Sequence, residues 1–172
     1  KDGEWLIGAV GRLYDQKGMD LLIPAFLEAK LPNCQLRIFG EGELREPLQG
    51  IIDASGSENV RLMGHEPEMR PWYAAFDLFV MPSRWEPFGL VFLEAMAADC
   101  PILATRTAGA QDILRDHPQV LWAESGSTDA LCQTLEKAQP ILGERWEYPQ
   151  LERHDYKQAV DQVLAFYGRF TG

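Results

Sequence analysis

The segment DLFVMPSRWEPFGLVFLEAMAA, residues 77–98, joins a short apolar run to a longer one through a polar turn. The first run, Leu78 to Met81, has the length of a buried strand. Pro87 and Gly89, both typical of turns, stand at the start of the second run, 88–98. Runs of these lengths, separated by turn residues, indicate a strand, a loop and a helix in that order.

The same order recurs along the whole chain, which is typical of a parallel sheet covered by helices. The predicted strands are 5–10, 35–39, 59–63, 78–81, 102–104 and 120–122. The predicted helices are 20–29, 43–54, 66–74, 88–98, 110–114, 129–138 and 157–170. We therefore expect an α/β domain with a Rossmann-like, doubly wound parallel sheet of about six strands.

Glycine-rich and charged turns follow several of these strands. They are 11–18 after the first strand, 40–42 after the second, Gly64 after the third and 82–89 after the fourth. Ligands of open α/β sheets bind beyond the carboxyl ends of the strands. The turns therefore predict a ligand site at that edge of the sheet.

Composition limits the kinds of partner that the chain can have. It has 172 residues, 46% of them hydrophobic, and a formal charge of −10. We expect one globular domain, 1–172, with a real core. Nucleic acid and anionic membrane surfaces require clustered Lys and Arg, so neither is expected as the main partner. Three cysteines without paired metal spacing predict reduced thiols in a cytoplasmic protein, with neither zinc nor a disulfide framework.

The extent of the chain suggests part of a longer protein. No segment reaches the roughly 20 apolar residues of a membrane-spanning helix, and the N-terminus lacks a signal-peptide pattern. Lys1 stands where a methionine would begin a complete chain, so we expect a fragment. Residues 140–154, rich in Trp, Tyr, Pro and Glu, are predicted to form a linker before the last helix.

Two carboxylates flank the start of the predicted helix 88–98. Glu86 lies in the preceding turn, and Glu94 is the one charged residue in the apolar run from Leu90 to Ala98. Helix N-termini present unpaired N–H groups and a partial positive charge, which suit a phosphate. If Glu94 is buried it needs a polar partner, such as a sugar hydroxyl. We interpret the segment as a nucleotide-sugar site.

Arg12 and Lys17 lie in the glycine-punctuated loop after the first strand. A guanidinium group binds phosphate through paired hydrogen bonds and an ammonium group supplies a mobile charge, so together they could neutralise a diphosphate without a metal. The alternative is a solvated loop with two surface cations. Because the chain is acidic, these cations are not part of a general basic surface.

Gly40 and Gly42 open the turn after the second strand, where missing side chains would let the backbone approach a ligand. Arg45 replaces the third glycine of the dinucleotide fingerprint, so nicotinamide-cofactor binding is poorly supported. A tight turn without ligand and a role in shaping a sugar pocket both remain open. Met63, at the end of the third strand, is a further candidate for donor binding.

The histidines and the loop after the fifth strand give weaker signals. His117 and His154 lie in polar loops and are predicted at the surface. His65 could border the nucleotide, although a structural role is favoured. Residues 105–112 could close one side of the pocket or form a capped helix with Asp112 in its first turn, and the sequence does not separate these.

Several motifs together resemble one known family. They are the Gly11-Arg12-Leu13 loop, Gly40-Glu41-Gly42, the strand ending at Pro82-Ser83, Glu86-Pro87-Phe88-Gly89-Leu90, and Glu94-Ala95-Met96-Ala97. This ordered set is similar to the carboxyl-terminal, donor-binding domain of GT-B retaining glycosyltransferases of the family 4 group. The resemblance extends from about Trp5 to the last helix and is nearest to lipopolysaccharide-core and other surface-polysaccharide enzymes. Asp99 departs from the pattern, since family members usually have glycine there, and it could adopt a left-handed conformation.

The resemblance implies transfer of a sugar from a nucleotide diphosphate donor, with retention and without a metal. Charge stabilisation of the departing diphosphate would then drive the reaction. Arg12 and Lys17 would hold the diphosphate, backbone amides of 88–90 would contact phosphate or sugar, Glu86 would orient the hexose and Glu94 would bind the ribose. The expected catalytic residues are Arg12, Lys17 and Glu86, and the expected donor-binding residues are Gly11, Gly40, Gly42, Met63, Phe88, Gly89, Leu90 and Glu94.

On this interpretation the chain is the C-terminal half of a GT-B enzyme and binds its donor, with a UDP-sugar expected first, but does not transfer sugar by itself. The expected partners are a missing N-terminal acceptor domain and a saccharide or lipid-linked saccharide. The parent enzyme would be cytoplasmic and could associate peripherally with the inner membrane. The alternatives are a glycogen- or starch-synthase-like enzyme, a nucleotide-dependent epimerase or dehydrogenase, and a non-catalytic sugar-nucleotide-binding module.

Overall fold

A computed structural model describes residues 4–115, 117 and 119–148. Within them lies a parallel sheet of six strands in the order β3-β2-β1-β4-β5-β6. The strands are β1 Trp5–Val10, β2 Cys34–Phe39, β3 Val60–Gly64, β4 Leu78–Met81, β5 Ile102–Thr105 and β6 Leu121–Ala123. The helices are α1 Met19–Ala29, α2 Arg45–Ser55, α3 Arg70–Ala75, α4 Leu90–Ala97, α5 Ala108–Leu114 and α6 Thr128–Ala138. The predicted fold class is confirmed.

The central strands are buried on both faces, which explains their continuous apolar runs. Successive side chains of a strand point to opposite faces. Leu78 and Val80 of β4 accordingly join a core cluster with α1, α2 and α6. Phe79 and Met81 join a second cluster with α3, α4 and α5. Helices therefore cover both faces of the sheet, as the doubly wound prediction requires.

The order of the strands reverses at β1, which pairs with β2 on one side and β4 on the other. The loops that follow β1 and β4 therefore leave the sheet side by side at its carboxyl edge. In open α/β sheets this switch point is the usual ligand site. It brings residues 11–18 and 82–89 together, although they are about 70 positions apart in the sequence.

Most predicted boundaries agree with the structure within two residues, but the predicted start of α3 at position 66 is wrong. The Glu66 carboxylate accepts a hydrogen bond from the Glu68 N–H (3.1 Å), and that of Glu68 accepts one from the Arg70 N–H (3.2 Å). Such local side-chain bonds compete with helix formation. Helix α3 therefore begins four residues later, at Arg70.

The turn after α4 confirms the expectation for Asp99, which adopts a left-handed conformation with φ of 51°. A residue with a Cβ atom is uncommon there, and Asp is among the types that tolerate it. The Cys100 N–H donates to the Ala95 carbonyl (3.1 Å), which closes the turn. The chain then passes directly into β5.

Residues 140–148 of the predicted linker lack regular structure beyond the short 3-10 turn Gln139–Ile141, yet they pack on the domain. Trp146 and Tyr148 are buried. The Arg145 guanidinium donates to the carbonyls of Ala74 and Phe76 at the end of α3. Residues 149–154 and the predicted helix 157–170, with His154, lie outside the described residues, and the linker remains a prediction.

His117 was expected at the surface, and that prediction is wrong. It is 7% exposed and its ring stacks on Trp146 and Tyr148, with ring centroids 5.5 and 4.4 Å away. The Gln119 N–H donates to Nδ1 (3.3 Å), so the proton lies on Nε2 and is donated to the Glu147 carbonyl (3.1 Å). Acceptance of a hydrogen bond at Nδ1 requires a neutral ring, and burial lowers the pKa of His117 below 6.5.

This environment predicts a pH dependence of stability. Below about pH 6.5 the unfolded chain gains a proton at His117 before the folded chain does, so the free energy of unfolding should fall. The free energy of unfolding should stop falling once the pH has dropped below the pKa of His117 in the folded state. Urea unfolding at several pH values would measure it.

His117→Gln should flatten that part of the profile, because no imidazole remains to titrate. His65→Gln, at an exposed position, should leave the decline in place. If the free energy of unfolding declined in the same way in His117→Gln, groups other than His117 would be responsible for the decline.

Candidate functional site

The loop 82–89 after β4 is fixed by four hydrogen bonds to its backbone carbonyls, donated by residues from three other segments of the chain. The pairs are Ser83 O with Thr105 Oγ1 (2.6 Å), Arg84 O with Ser125 Oγ (2.7 Å), Trp85 O with Gln16 Nε2 (3.1 Å) and Glu86 O with Gly109 N (2.9 Å). Side chains held in this way are preorganised for binding. Glu86 thus has a defined position before any ligand arrives.

Lys17 and Glu86 form an ion pair at the centre of the site. The Lys17 ammonium donates to Glu86 Oε2, and the two side chains are 13% and 6% exposed. Removing one partner of a buried pair leaves an uncompensated charge and is destabilising by about 3–5 kcal/mol. Two of the predicted catalytic residues are therefore in direct contact.

The loop after β1 places Lys17 there through a short 3-10 turn, Asp15–Lys17, that ends at Gly18. Gly18 has φ of 66°, and a Cβ atom on it would lie 2.1 Å from the Pro82 carbonyl oxygen. Glycine is thus required by both conformation and space. Gly11 lies beside the Lys17 stem, where an added Cβ would be 3.3 Å from Cδ.

A second ion pair, which sequence reasoning missed, supports the same contact between loops. Arg84 donates to both carboxylate oxygens of Asp20 (2.8 and 2.7 Å) and to the Asp15 carbonyl (2.7 Å). The hydrogen bond from Arg84 lowers the pKa of Asp20. These residues are 64 to 69 positions apart, and nothing in the local pattern of either loop indicates their pairing.

Helix α4 begins at Leu90 instead of Phe88, because Gly89 has φ of 85° and caps the helix in a left-handed conformation. A Cβ atom on Gly89 would lie 2.7 Å from the Phe92 ring and 3.1 Å from Glu86 Cγ. The first N–H groups of a helix lack partners within it. Phe88 and Leu90 are 49% and 66% exposed, so this helix start opens to solvent beside Glu86.

Glu94 lies on α4 one turn after the helix start and is exposed. The apolar residues around it in sequence suggested burial, but its side chain lines an open groove of about 1060 Å³ between α4, α3 and residues 66–70. Tyr73 of α3 lines the same groove. Glu94 is therefore available to a ligand that extends from the helix start.

Arg12 is exposed, and its guanidinium lies 5.3 Å from the centroid of the Tyr14 ring. Met63 is also exposed, at the carboxyl end of β3. Both residues lie in segments at the carboxyl edge of the sheet. Their predicted roles in donor binding remain predictions.

Gly40 and Gly42 let the turn after β2 approach the loop after β1. Gly40 has φ of 138°, and a Cβ atom on it would lie 1.9 Å from the Gly11 carbonyl oxygen. A Cβ atom on Gly42 would lie 2.4 Å from the Leu13 carbonyl oxygen. The sequence left open whether these glycines form a tight turn without ligand or shape a sugar pocket. The structure shows that the turn supports the loop that carries Arg12 and Lys17.

The sequence analysis did not single out Gly109 either. It lies in the first turn of α5, and a Cβ atom on it would be 2.5 Å from the Glu86 carbonyl oxygen and 2.7 Å from the Phe88 nitrogen. Residues 105–112 therefore do lie against one side of the site. The Thr107 side chain does not cap the helix, and the Ala-Gly-Ala sequence was the available signal.

The described residues contain no cluster of His, Cys, Asp and Glu that could hold a metal ion. Nor does that part of the chain contain a helix with the length and hydropathy to span a membrane.

A family model described as glycosyl transferases group 1 matches residues 4–139. The chain belongs to the glycosyl transferases of group 1. Lipopolysaccharide core biosynthesis glycosyltransferase LpsE of Rhizobium meliloti is 35% identical over 133 residues, which cover 77% of this chain and 38% of LpsE. A glycogen synthase of Geotalea daltonii is 38% identical over 123 residues, 66% of this chain and 25% of that enzyme.

The solved structures include a similar fold with ligands bound. A mutant of S. aureus TarM, crystallised with fondaparinux, alpha-GlcNAc-glycerol and UDP, has a TM-score of 0.73 and 26% identity over 82% of this chain and 30% of TarM. The six-stranded sheet is the Rossmann-like sheet of GT-B glycosyltransferases. The chain spans less than half the length of each of these proteins.

The close approach of Gly109 gives a test of the site. Gly109→Ala should displace residues 86–88, lower the free energy of unfolding by about 1–3 kcal/mol and weaken nucleotide binding. Gly50→Ala is the matched control, since Gly50 is also helical and an added Cβ would meet no atom within 4 Å. It should stabilise the protein by up to about 1 kcal/mol.

Chemical denaturation and calorimetric titration would measure both effects. If Gly109→Ala and Gly50→Ala behaved alike, α5 would not support the Glu86 loop.

Proposed function

We propose that this chain is the donor-binding domain of a retaining, metal-independent glycosyltransferase. The enzyme would move a hexose from a nucleotide diphosphate sugar to a saccharide acceptor in bacterial lipopolysaccharide or related surface-polysaccharide assembly. The observation that carries the proposal is the Lys17–Glu86 ion pair beside the start of α4. It puts a cation, a carboxylate and free helix N–H groups in one place.

Each part of the donor has a suitable partner there. The diphosphate would bind between Lys17, Arg12 and the N-terminus of α4, where charge and hydrogen-bond donors favour an anion. Glu86 would accept hydrogen bonds from hexose hydroxyls. Glu94 follows the helix start by four residues, about 6 Å along the axis, a distance suited to the ribose diol.

The same groups would stabilise the transition state. Negative charge grows on the diphosphate as the bond to the sugar breaks, and cations already in position stabilise that charge without reorganisation. Lys17 is preorganised by Glu86 and by the turn that ends at Gly18. The proposal assigns no nucleophile to the protein, and charge stabilisation is the catalytic contribution of this domain.

The donor and the acceptor are proposed from the relatives. TarM was crystallised with UDP, which supports a UDP-sugar as the first donor to test. LpsE supports a lipopolysaccharide-type acceptor.

The same proposal includes an N-terminal acceptor domain. It also places the parent enzyme in the cytoplasm, with peripheral association with the inner membrane. The exposed side chains of Trp85, Phe88 and Leu90, next to the proposed donor site, would be available to such a domain.

The glycogen synthase of Geotalea daltonii favours a second candidate function, a glucosyltransferase that extends a glucan. The donor would bind in the same way, and the acceptor would differ. A non-catalytic sugar-nucleotide-binding module is the third. A nicotinamide-dependent enzyme, considered from the sequence, receives no support from the family match.

Binding of UDP, ADP, GDP and CDP to the 172-residue chain tests the donor site. We expect at least one of them to bind, and Lys17→Ala should weaken it by about 1–3 kcal/mol because a charged hydrogen bond is lost. The parent nucleoside lacks phosphates, so its weaker binding should be unchanged by the substitution. Lys137→Ala, on the exposed face of α6, is the matched control.

Calorimetry at low salt would give these affinities, with thermal unfolding recorded for each variant. Equal loss of nucleoside and nucleoside diphosphate binding in Lys17→Ala would indicate a disturbed fold. No loss of either would make Lys17 a structural partner of Glu86 alone.

Transfer requires the acceptor domain, so the isolated chain should bind donor without turning it over. The full-length parent enzyme should transfer the sugar, with retained anomeric configuration by NMR and undiminished rate in EDTA. Lipid A-core and glucan acceptors would separate the first two candidate functions. Robust transfer by the 172-residue chain would contradict the proposed division of labour, and donor binding without transfer by the full enzyme would favour the non-catalytic module.

A further inference from the structure

Tyr73 has a buried hydroxyl group whose presence packing does not explain. Its side chain is 2% exposed, and its ring packs at an angle on Phe76 and Phe79, with centroids 5.7 and 5.6 Å away. Its hydroxyl makes no hydrogen bond of normal geometry with the described residues, although the Glu94 carboxylate lies beside it. A buried hydroxyl without a partner destabilises the folded state, and phenylalanine would fill the same aromatic cluster without that penalty.

Tyr73 lines the groove that also contains Glu94, and its hydroxyl lies close to that carboxylate. Tyr73 from α3 and Glu94 from α4 both line this groove, together with Glu66, Glu68 and Arg70. Burial raises the pKa of Tyr73, and the neighbouring Glu94 carboxylate raises it further. The phenol therefore keeps its proton and remains a hydrogen-bond donor next to an acceptor.

Glu94 by itself is poorly placed to select a ligand. It is exposed on one face of a helix, and an exposed glutamate samples many rotamers that binding must restrict. The carboxylates of Glu66 and Glu68 line the same groove. A donor group beside Glu94 would restrict its rotamers and keep one carboxylate oxygen directed at the ligand.

We propose that Tyr73 is a positioning residue for the nucleoside: when a nucleoside diphosphate enters the groove, the Tyr73 hydroxyl donates a hydrogen bond to the Glu94 carboxylate and orients it toward the ribose diol. This inference rests on the proposed function, because it requires Glu94 to bind ribose. It assigns to α3 a role in recognising ribose. The hydroxyl makes no hydrogen bond of normal geometry without ligand, and in the complex it forms one with Glu94.

Tyr73→Phe separates this role from a structural one. Removing an unpartnered buried hydroxyl should leave the melting temperature unchanged or raise it, and yet should weaken nucleoside diphosphate binding by about 3- to 10-fold. Tyr148→Phe is the matched control. Tyr148 is also buried, but its hydroxyl donates to the Cys100 carbonyl (2.6 Å), so that substitution should lower the melting temperature and leave the affinity unchanged.

The experiment measures binding of the tightest-binding member of UDP, ADP, GDP and CDP, and of its 2′-deoxy form, by calorimetry. The proteins are the 172-residue chain, Tyr73→Phe, Glu94→Ala, the double variant and Tyr148→Phe. The preference for ribose over deoxyribose should shrink in Tyr73→Phe and in Glu94→Ala. In the Glu94→Ala background, Tyr73→Phe should have no further effect, because the group that it orients is gone.

Each other outcome has a distinct meaning. If the wild-type chain bound none of the four diphosphates, the proposed function would fail and this inference with it. If Glu94→Ala lost affinity and ribose preference while Tyr73→Phe kept both, the donor site would stand and the role of Tyr73 would be overturned. A Tyr73→Phe effect that was equal for ribose and deoxyribose, or that persisted without Glu94, would also overturn it.

Discussion

The structure of the site depends on the contact between the loops that follow β1 and β4, and the Lys17–Glu86 ion pair lies at its centre. Both side chains are largely removed from water, so each charge needs the other. An ion pair buried in this way fixes the relative position of two loops that are far apart in sequence. It therefore determines where a ligand can meet both the lysine and the start of α4.

The close approach of the loops explains several glycines at once. Gly18 lies against the Pro82 carbonyl and Gly109 against the Glu86 carbonyl, and neither position has room for a Cβ atom. The Arg84–Asp20 pair adds a second charged link between the same loops. These contacts within the protein thus hold Glu86 within a narrow range of positions, which selective binding of a ligand requires.

The strands, the sheet and the position of the site could be predicted because they follow from local patterns, such as the apolar run Leu78 to Met81 and the turn that follows it. Local patterns do not reveal contacts across the sheet. Gly109, Arg84 and Tyr73 acquire their roles from residues that lie 20 to 70 positions away, and the burial of His117 comes from two aromatic rings of residues 146–148. The start of α3 was misplaced because the Glu66 and Glu68 side chains bind backbone N–H groups that a helix would have used.

The overall charge of −10 would repel an anionic donor, so local arrangement has to supply the attraction. On the proposed function, Lys17 would bring little net charge to a diphosphate because it is already paired with Glu86, and the remaining attraction would come from Arg12 and the N-terminus of α4. An arrangement of this kind favours ligands that satisfy Glu86 as well, since a bare diphosphate would share the lysine with that carboxylate. Sugar hydroxyls that donate to Glu86 would relieve this competition, which makes recognition of the sugar part of recognising the diphosphate.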